Sequence, residues 1–169
     1  VKPTIEDFFE GTDHTAVDRL DLHRYMGTWY EIARFDHRFE RGLSEVTATY
    51  TLMPDGTVRV ENRGCKHKKP YDVCKTAEGR AKIPDPSQPG KLKVSFFLSF
   101  YSDYYVLELD QDEYNYALIG SSSDKYLWIL SRVPILPEEI KKKLLDAATR
   151  RGYDVKKLIW VEQREKKIM

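Results

Sequence analysis

Few side chains in this sequence have the type and spacing that catalysis or metal binding requires. The four histidines, at positions 14, 23, 37 and 67, are scattered, and none belongs to the His-Glu-x-x-His pattern of zinc peptidases. The segment GSSSDK, residues 120–125, lacks the Gly-x-Ser-x-Gly pattern that exposes a nucleophilic serine. No phosphate-binding loop or dinucleotide-binding fingerprint occurs. We therefore expect no catalytic residues, no metal and no cofactor.

The two cysteines offer one further piece of chemistry. Cys65 and Cys74 are separated by a polar turn, CKHKKPYDVC, and a hairpin at this turn would bring their Cα atoms within disulfide range. Such a pair suits an oxidising compartment, whereas two unpaired thiols are the alternative. A zinc site is not expected there, because only His67 lies between the cysteines and no second Cys or His pair follows.

Length and composition define the general class of protein. With 169 residues, the chain is long enough for one domain with a core and short for two. It is 41% hydrophobic and 12% aromatic, which is typical of a globular protein rather than a disordered one. Its formal net charge is +1, and its basic segments lack interleaved aromatics, so nucleic acid is not an expected partner. No apolar run is long enough for a transmembrane helix.

Short strands with an alternating pattern fill most of the chain after an extended lead-in at residues 1–24. The clearest unit is VTATYTLMPDGTVRVENRG, in which two alternating runs flank the turn residues Pro54, Asp55 and Gly56. Similar runs are AEGRAKI, KLKVSFFLSF, YYVLELD, YNYALIG and YLWILSRV. Together with the opening run YMGTWYEIARF, they predict eight strands in sequential order, joined by compact turns.

One helix is predicted near the C-terminus, at about residues 137–151. Pro137 lies at its start, Glu138 and Glu139 in its first turn and Gly152 just past its end, as helix termini prefer. Its apolar stripe, which can dock on a sheet, consists of Ile140, Leu144, Leu145 and Ala148. The segment LIWVEQ that follows predicts a short ninth strand.

These elements predict an all-β protein, an eight-stranded antiparallel up-and-down β-barrel with the helix packed outside. The faces of the strands decide which side is apolar. In TVRVENR, Val58 and Val60 share one face, whereas Arg59, Glu61 and Arg63 share the other. The charged face must contact water, because so many unpaired charges cannot be buried. The lumen is therefore apolar, and residues 25–169 form a single barrel domain.

Two motifs at the ends of strands resemble those of the lipocalin family. GTWY, residues 27–30, opens the first strand, and LSR, residues 130–132, ends the eighth. The segments GTWYEIARFDHRFERGLSEVTATY, LKVSFF and YLWILSRVP are similar to the bacterial lipocalin and apolipoprotein D branch of the family. The resemblance runs from about Tyr25 to Gln163. The family's Thr-Asp-Tyr motif is degraded here to DQDEYNY, residues 110–116, which leaves the shape of that loop open.

The resemblance implies roles for the closed end and the lumen of the barrel. In lipocalins the tryptophan of the first motif plugs the closed end, and the arginine of the last strand lies across it. Trp29 and Arg132 are therefore expected to form a cation–π lid, with Gly27 allowing close backbone approach. Alternation from Trp29, together with the family's pocket positions, predicts the ligand-lining residues. These are Glu31, Ala33, Tyr50, Asn62, Val94, Phe96, Tyr104, Val106, Trp128 and Leu130.

Glu31 is the unusual member of this set, because it places a carboxyl group in an apolar lumen. Such a position raises the pKa of a carboxyl unless a cation or hydroxyl meets it. We expect a hydrogen-bonded structural role for Glu31, with Arg132 or a tyrosine as partner, rather than a role as general acid. On the same alternation, Arg34 points away from the lumen.

A mainly apolar, aromatic cup suits an acyl chain with one polar head. The resemblance thus implies a non-enzymatic protein that binds, transports or stores small hydrophobic ligands such as fatty acids or lysophospholipids. In bacterial relatives this role goes with maintenance of the outer membrane, so we expect a periplasmic or outer-membrane lipoprotein whose N-terminal anchor is not in this sequence. A lipid-modifying enzyme of the same fold and a surface interaction module are the alternatives. Whether the protein forms a homodimer stays open.

Overall fold

The computed structural model describes residues 11–68, 70–97 and 100–164, and within them the predicted barrel with an external helix is confirmed. A short helix, α1 (Leu22–Tyr25), precedes the barrel. The strands are β1 (Gly27–Phe35), β2 (Ser44–Leu52), β3 (Val58–Lys66), β4 (Val73–Lys82), β5 (Lys91–Phe97), β6 (Phe100–Leu109), β7 (Tyr116–Gly120) and β8 (Trp128–Ser131). Helix α2 (Glu138–Arg150), a 3-10 turn (Val155–Lys157) and strand β9 (Leu158–Trp160) follow.

The strands form one antiparallel sheet that closes on itself. Neighbours follow the order β2-β3-β4-β5-β6-β7-β8-β1-β9, and β1 also pairs with β2, which closes an eight-stranded barrel. Strand β1 divides its pairing along its length. Its first half, residues 27–30, pairs with β2, whereas its last residues, 33–35, pair with β9.

The gap between the upper halves of β1 and β2 is filled by residues 158–163. The backbone N–H of Glu45 donates to the carbonyl of Glu162 at 2.7 Å. The Gln163 side chain donates from Nε2 to the carbonyls of Glu31 and Val46, both at 2.8 Å. This seam satisfies backbone groups that the departing β2 strand leaves without a ladder partner.

The β2–β3 hairpin forms at the predicted turn. Gly56 has φ of 86°, a conformation that glycine adopts without steric cost. The N–H of Met53 donates to the carbonyl of Thr57 at 2.8 Å, and the Asp55 carboxylate accepts from the N–H of Thr57 at 3.0 Å. This turn sets the register that places Tyr50 opposite Val60.

Two apolar clusters lie on opposite sides of the barrel wall. The inner cluster includes Trp29, Tyr50, Val60, Val94, Val106 and Leu130. The outer cluster, which lies under α2, includes Ile32, Leu107, Leu118, Ile129, Leu144 and Ala148. Neighbours such as Val106 and Leu107 belong to different clusters, as the two-residue period of a strand requires. Helix α2 ends within one residue of the predicted limits, and no helix of the described chain is long and apolar enough to span a membrane.

The two ends of the barrel differ, and we call them the floor and the mouth. The floor is the end where β1 begins, and it carries the connections 53–57, 83–90 and 110–115. The mouth is the end where β1 finishes, and it carries the connections 36–43, 67–72 and 121–127. Because consecutive strands are antiparallel, successive connections alternate between the two ends.

The lead-in packs against the barrel instead of standing apart from it, although its first ten residues lie outside the described part. The N–H of Val17 donates to the carbonyl of Val106 at 2.8 Å, and the N–H of Asp21 donates to the Tyr114 hydroxyl at 3.0 Å. Residues 22–25 are helical where an extended chain was predicted. The Asp21 side chain caps this turn by accepting a hydrogen bond from the N–H of His23.

Candidate ligand-binding site

The floor is sealed by one indole and one guanidinium. Trp29 is fully buried, and the Arg132 guanidinium carbon lies 3.8 Å from the centroid of its ring. Arg132 also donates hydrogen bonds to the carbonyls of Arg24, Thr28 and Tyr114 at 2.8–3.1 Å. These contacts hold the cation against the ring face, where its attraction to the ring's electron density is strongest.

A layer of three tyrosines lies directly above the indole. The Tyr104 hydroxyl is 2.5 Å from that of Tyr25 and 2.9 Å from that of Tyr50. The Tyr25 ring stacks on Tyr50 with centroids 5.6 Å apart, and it lies 5.0 Å from Trp29. Burial raises the pKa of all three phenols, so they stay neutral. Tyr25 was absent from the predicted lumen set because it precedes the first strand.

The lower half of the lumen is filled by side chains. Val58, Ala81, Leu92 and Val94 close around the tyrosine layer, and the remaining cavity has a volume of about 10 Å³. A cavity of this size holds about one water molecule. No acyl chain reaches the floor unless these side chains move.

The upper half of the lumen opens to solvent along β4. Ala81, near the floor, is 3% exposed, whereas Ala77, which lies on the same face two alternations higher, is exposed. Ala77 pairs with Asn62, which is half-buried on the lumen face of β3. The half-buried rings of Phe96 and Trp128 contact the inner cluster from the other walls. The lumen is therefore a cup with a packed base and an open, aromatic upper wall.

The predicted lumen residues occupy this cup with one exception. Tyr50, Val94, Val106 and Leu130 are buried members of the inner cluster, Phe96, Tyr104 and Trp128 border it, and Glu31 and Asn62 share its face. The prediction for Ala33 is wrong, since that residue packs in the outer cluster under α2. The cause is a β-bulge at Ile32, where the register against β8 shifts between Glu31 and Ala33.

The bulge also turns Arg34 inward, against the prediction that it points away. Arg34 is 2% exposed and donates from Nη1 to Glu31 Oε2 at 3.4 Å. It also donates from Nη2 to the carbonyls of Glu40 at 2.8 Å and of Leu43 at 3.5 Å. The cationic partner of Glu31 is therefore Arg34, and not the expected Arg132 or a tyrosine. Arg34 ties the mouth connection 36–43 to the barrel wall.

Glu40 completes this buried polar cluster. Its Oε1 accepts hydrogen bonds from His37 Nε2 at 2.8 Å and from Trp128 Nε1 at 3.0 Å. Its Oε2 lies 3.9 Å from Arg34 Nε, within ion-pair range. The sequence pattern missed this arrangement because a loop carboxylate carries no periodicity that would place it in the barrel.

The two carboxyl groups of the cluster differ in protonation. Burial, together with the nearby charge of Glu40, raises the pKa of Glu31 well above its usual value. Burial also acts to raise the pKa of Glu40, but hydrogen bonds from His37 and from neutral Glu31 outweigh it and lower the pKa to about 2. The environment therefore favours the neutral form of Glu31 and the charged form of Glu40.

The mouth connection 67–72 is tied at its base by a disulfide. Cys65 and Cys74 lie opposite each other on β3 and β4, with Cα atoms 4.0 Å apart, and their sulfurs are bonded. Above them, His67 pairs with Asp72 at 2.9 Å. The loop therefore projects from a covalently closed pair of strands.

A second, wider cleft of about 630 Å³ lies outside the barrel wall. It is bordered by Thr12, Phe35, Asp36, His37, Asp124, Lys125, Tyr126, Gly152, Tyr153, Asp154 and Lys157. This lining combines charged side chains with the rings of Phe35, Tyr126 and Tyr153, and none of the predicted lumen residues belongs to it. In the described part of the chain, no cluster of three or more His, Cys, Asp or Glu side chains could hold a metal ion.

A closed barrel with a packed floor and an aromatic cup at one end defines a class of small-molecule-binding barrels. The chain belongs to the lipocalin family, since the family model described as a lipocalin-like domain matches residues 20–163. The resemblance inferred from the two motifs is thereby confirmed.

Several curated proteins are similar to this chain over most of its length. It is 50% identical over 149 residues to the outer membrane lipoprotein Blc of Escherichia coli K12, which covers 88% of this chain and 82% of the relative. It is 34% identical over 154 residues to apolipoprotein D of Mus musculus, covering 86% and 78%. Among solved structures, insecticyanin from Manduca sexta matches with a TM-score of 0.72 at 24% identity, covering 92% and 87%, which supports the fold alone.

Proposed function

We propose that this protein carries or stores lipids with a single acyl chain, such as fatty acids or lysophospholipids, without chemically changing them. Membership of the lipocalin family and the similarity to Blc support binding of small hydrophobic ligands in general. The observation that carries the narrower proposal is the shape of the cup. Its base is packed, and its open upper wall is lined by Phe96, Trp128 and the small side chain of Ala77.

This geometry fits one flexible chain better than a rigid, bulky ligand. Each methylene that leaves water for the upper wall contributes roughly 0.8 kcal/mol. The head of the lipid stays at the mouth, because the lower lumen is filled and Arg34 is already engaged by Glu31 and the 36–43 loop. Ordering of the chain offsets part of this gain, so affinity in the micromolar range or tighter is expected.

The test uses a pair of variants on β4. Ala77→Phe fills the open part of the cup, whereas Thr76→Phe places the same ring on the outer face one residue away. Native mass spectrometry of the delipidated protein, with palmitate or lysophosphatidylethanolamine added back, measures binding. We expect the wild type and Thr76→Phe to take up one lipid and Ala77→Phe to bind at least about tenfold more weakly, a difference of about 1.4 kcal/mol.

Three outcomes would overturn the proposal. Equal binding by both variants would place the lipid outside the cup. A mass change of the bound lipid after incubation would indicate a lipid-modifying enzyme. Absence of any lipid adduct in the wild type, before and after addition, would favour a surface interaction module.

The same relatives support a proposal for the cellular location. Blc carries the name of an outer membrane lipoprotein in Escherichia coli and in Vibrio cholerae, where the identity is 46%. We place this protein in the periplasm or at the outer membrane, and the Cys65–Cys74 disulfide suits that oxidising compartment. Fractionation of the native host, with and without release of lipid-anchored proteins, tests this location and the proposed anchor.

A further inference from the structure

Large apolar side chains are exposed around the mouth of the barrel. Phe39 is 64% exposed, Tyr71 72%, Tyr101 47% and Val73 38%. Phe39 lies on the connection 36–43, and Tyr71 and Val73 lie on or beside 67–72. Tyr101 is covered by the Lys82 ammonium, 4.4 Å from its ring centroid, and therefore lies further from the mouth. The other three side chains come from two separate hairpins at the mouth.

Cationic side chains lie between these apolar residues. Arg38, Lys68, Lys75 and Lys125 all belong to mouth connections or to the strand ends beside them, and all four are exposed. Among the described contacts, none of the four is in an ion pair. The acidic residues of the same loops are engaged, since Asp36 pairs with Arg41 at 3.1 Å and Asp124 with His14 at 2.9 Å.

The floor has the opposite character. Its three connections contain five carboxylates and no Lys or Arg: Asp55, Asp85, Asp110, Asp112 and Glu113. The connections at the two ends thus differ in charge, although Lys82 and Lys91 flank a floor connection and Arg132 lies across the floor. A negatively charged surface repels the acidic floor connections more than the mouth connections, which favours approach by the mouth.

The spacing of cation and ring at the mouth suits an interface between water and lipid. The Arg38 guanidinium carbon lies 4.8 Å from the centroid of the Phe39 ring, at the tip of the 36–43 loop. An aromatic ring with an adjacent cation can insert at headgroup depth while its charge meets lipid phosphates. The same loop is anchored to the barrel by Arg34, so its tip is presented by a fixed base.

We propose that the mouth docks on the surface of a bilayer that contains anionic phospholipids. Phe39, Tyr71 and Val73 enter the headgroup region, and the four unpaired cations contact phosphate groups. When the mouth is docked, the cup opens directly onto the acyl chains of the bilayer. A lipid can then pass between the bilayer and the cup without crossing bulk water. The biological role of this docking rests on the proposed lipid-carrying function, whereas the binding of the mouth to a bilayer does not depend on it.

The experiment is co-sedimentation of the delipidated protein with phosphatidylcholine vesicles, with or without phosphatidylglycerol. Phe39→Ser combined with Tyr71→Ser removes apolar contacts at the mouth. The matched control is Val133→Ser combined with Ile135→Ser, two side chains 49% and 58% exposed at the floor end. A third variant, Lys68→Glu combined with Lys75→Glu, reverses charge at the mouth.

We expect the wild type and the floor control to bind the anionic vesicles and to release them at high salt. Each mouth variant is expected to bind at least about fivefold more weakly, since each basic residue at a charged membrane surface contributes appreciably. Palmitate binding in solution should be equal in all four proteins, which separates docking from the cup. If docking fails while palmitate binding persists, only this inference is overturned.

Other results would also contradict docking. Equal vesicle binding by the mouth variants and the floor control would mean that the mouth is not the contact. If Phe39→Ser with Tyr71→Ser instead converts a dimer to a monomer, with vesicle binding unchanged, the mouth is an interface between two copies of the chain. A Phe39→Trp variant gives an independent check: brominated lipids should quench its added fluorescence and leave that of Ile135→Trp unaffected.

Discussion

The floor and the mouth each hold a buried or half-buried arginine near a tryptophan, but by different means. At the floor, Arg132 lies on Trp29 and donates to backbone carbonyls. At the mouth, Arg34 is held by carboxyl groups and loop carbonyls, and Trp128 donates to one of the same carboxylates. The floor thus closes the barrel with an indole and backbone carbonyls, which carry no titratable proton. The mouth positions its loop with two carboxyl groups whose pKa values are shifted in opposite directions, upward for Glu31 and downward for Glu40.

The largest effect is expected from opening the floor. Trp29→Ala removes a fully buried indole and leaves Arg132 without its ring, so the free energy of unfolding should fall by about 3–5 kcal/mol. Urea denaturation followed by circular dichroism measures this change. Trp160→Ala, at a side chain 44% exposed on β9, is the control and should cost less than about 1 kcal/mol. Equal losses of unfolding free energy in the two variants would show that the contact between Trp29 and Arg132 adds no particular stability.

Removal of the mouth arginine comes next. Arg34→Ala leaves the Glu40 carboxylate buried without its cation, which should cost about 3 kcal/mol. Combining Arg34→Ala with Glu40→Gln removes the unpaired charge and should recover part of the loss. A double-mutant cycle from urea denaturation measures the recovery, and simple additivity of the two losses would argue against a direct charge interaction.

The disulfide should have a smaller effect. Cys65→Ser combined with Cys74→Ser opens a loop of about ten residues, for which the entropy cost predicts a loss of about 2–3 kcal/mol. Thermal unfolding with and without a reductant should show the same loss in the wild type and no further change in the variant. A reductant effect that persists in the variant would have to arise elsewhere.

The tyrosine layer contributes less again. Tyr104→Phe removes the hydroxyl that meets both Tyr25 and Tyr50, and it should cost about 1 kcal/mol. Tyr101→Phe on the same strand, at an exposed ring, is the control and should be neutral. If both substitutions are neutral in urea denaturation, the hydroxyl network does not stabilise the floor.

The smallest change in the free energy of unfolding at acidic pH is expected for a substitution of Glu31. Its dependence on pH tests whether the mouth, unlike the floor, is held by titratable groups. Because the folded pKa of Glu31 is raised, the folded state holds its proton more tightly, and stability should fall as pH rises above about 4.5 toward that pKa. Glu31→Gln should remove this fall, while changing stability at pH 4.5 by less than about 1 kcal/mol. Urea denaturation across the pH range tests this, and an unchanged pH profile would place Glu31 outside the cluster.

The same contrast explains what could be predicted from sequence. The floor residues Gly27, Trp29 and Arg132 are predictable because two short motifs contain them. Close to Trp29, side chains of β1 alternate regularly between the lumen and the outer face, so their orientation is predictable too. The prediction lost accuracy toward the mouth, since the bulge at Ile32 reverses the faces of Ala33 and Arg34. Glu40 and His37 lie on a loop, and only the folded chain brings them to Trp128.

The seam formed by residues 158–163 has a consequence for biosynthesis. This segment leaves the ribosome after all eight barrel strands, yet it forms hydrogen bonds with β1 and β2, which are synthesised first. The earliest strands must therefore wait with unsatisfied edges until translation has passed the helix, a period in which chaperones or export factors can hold the chain open.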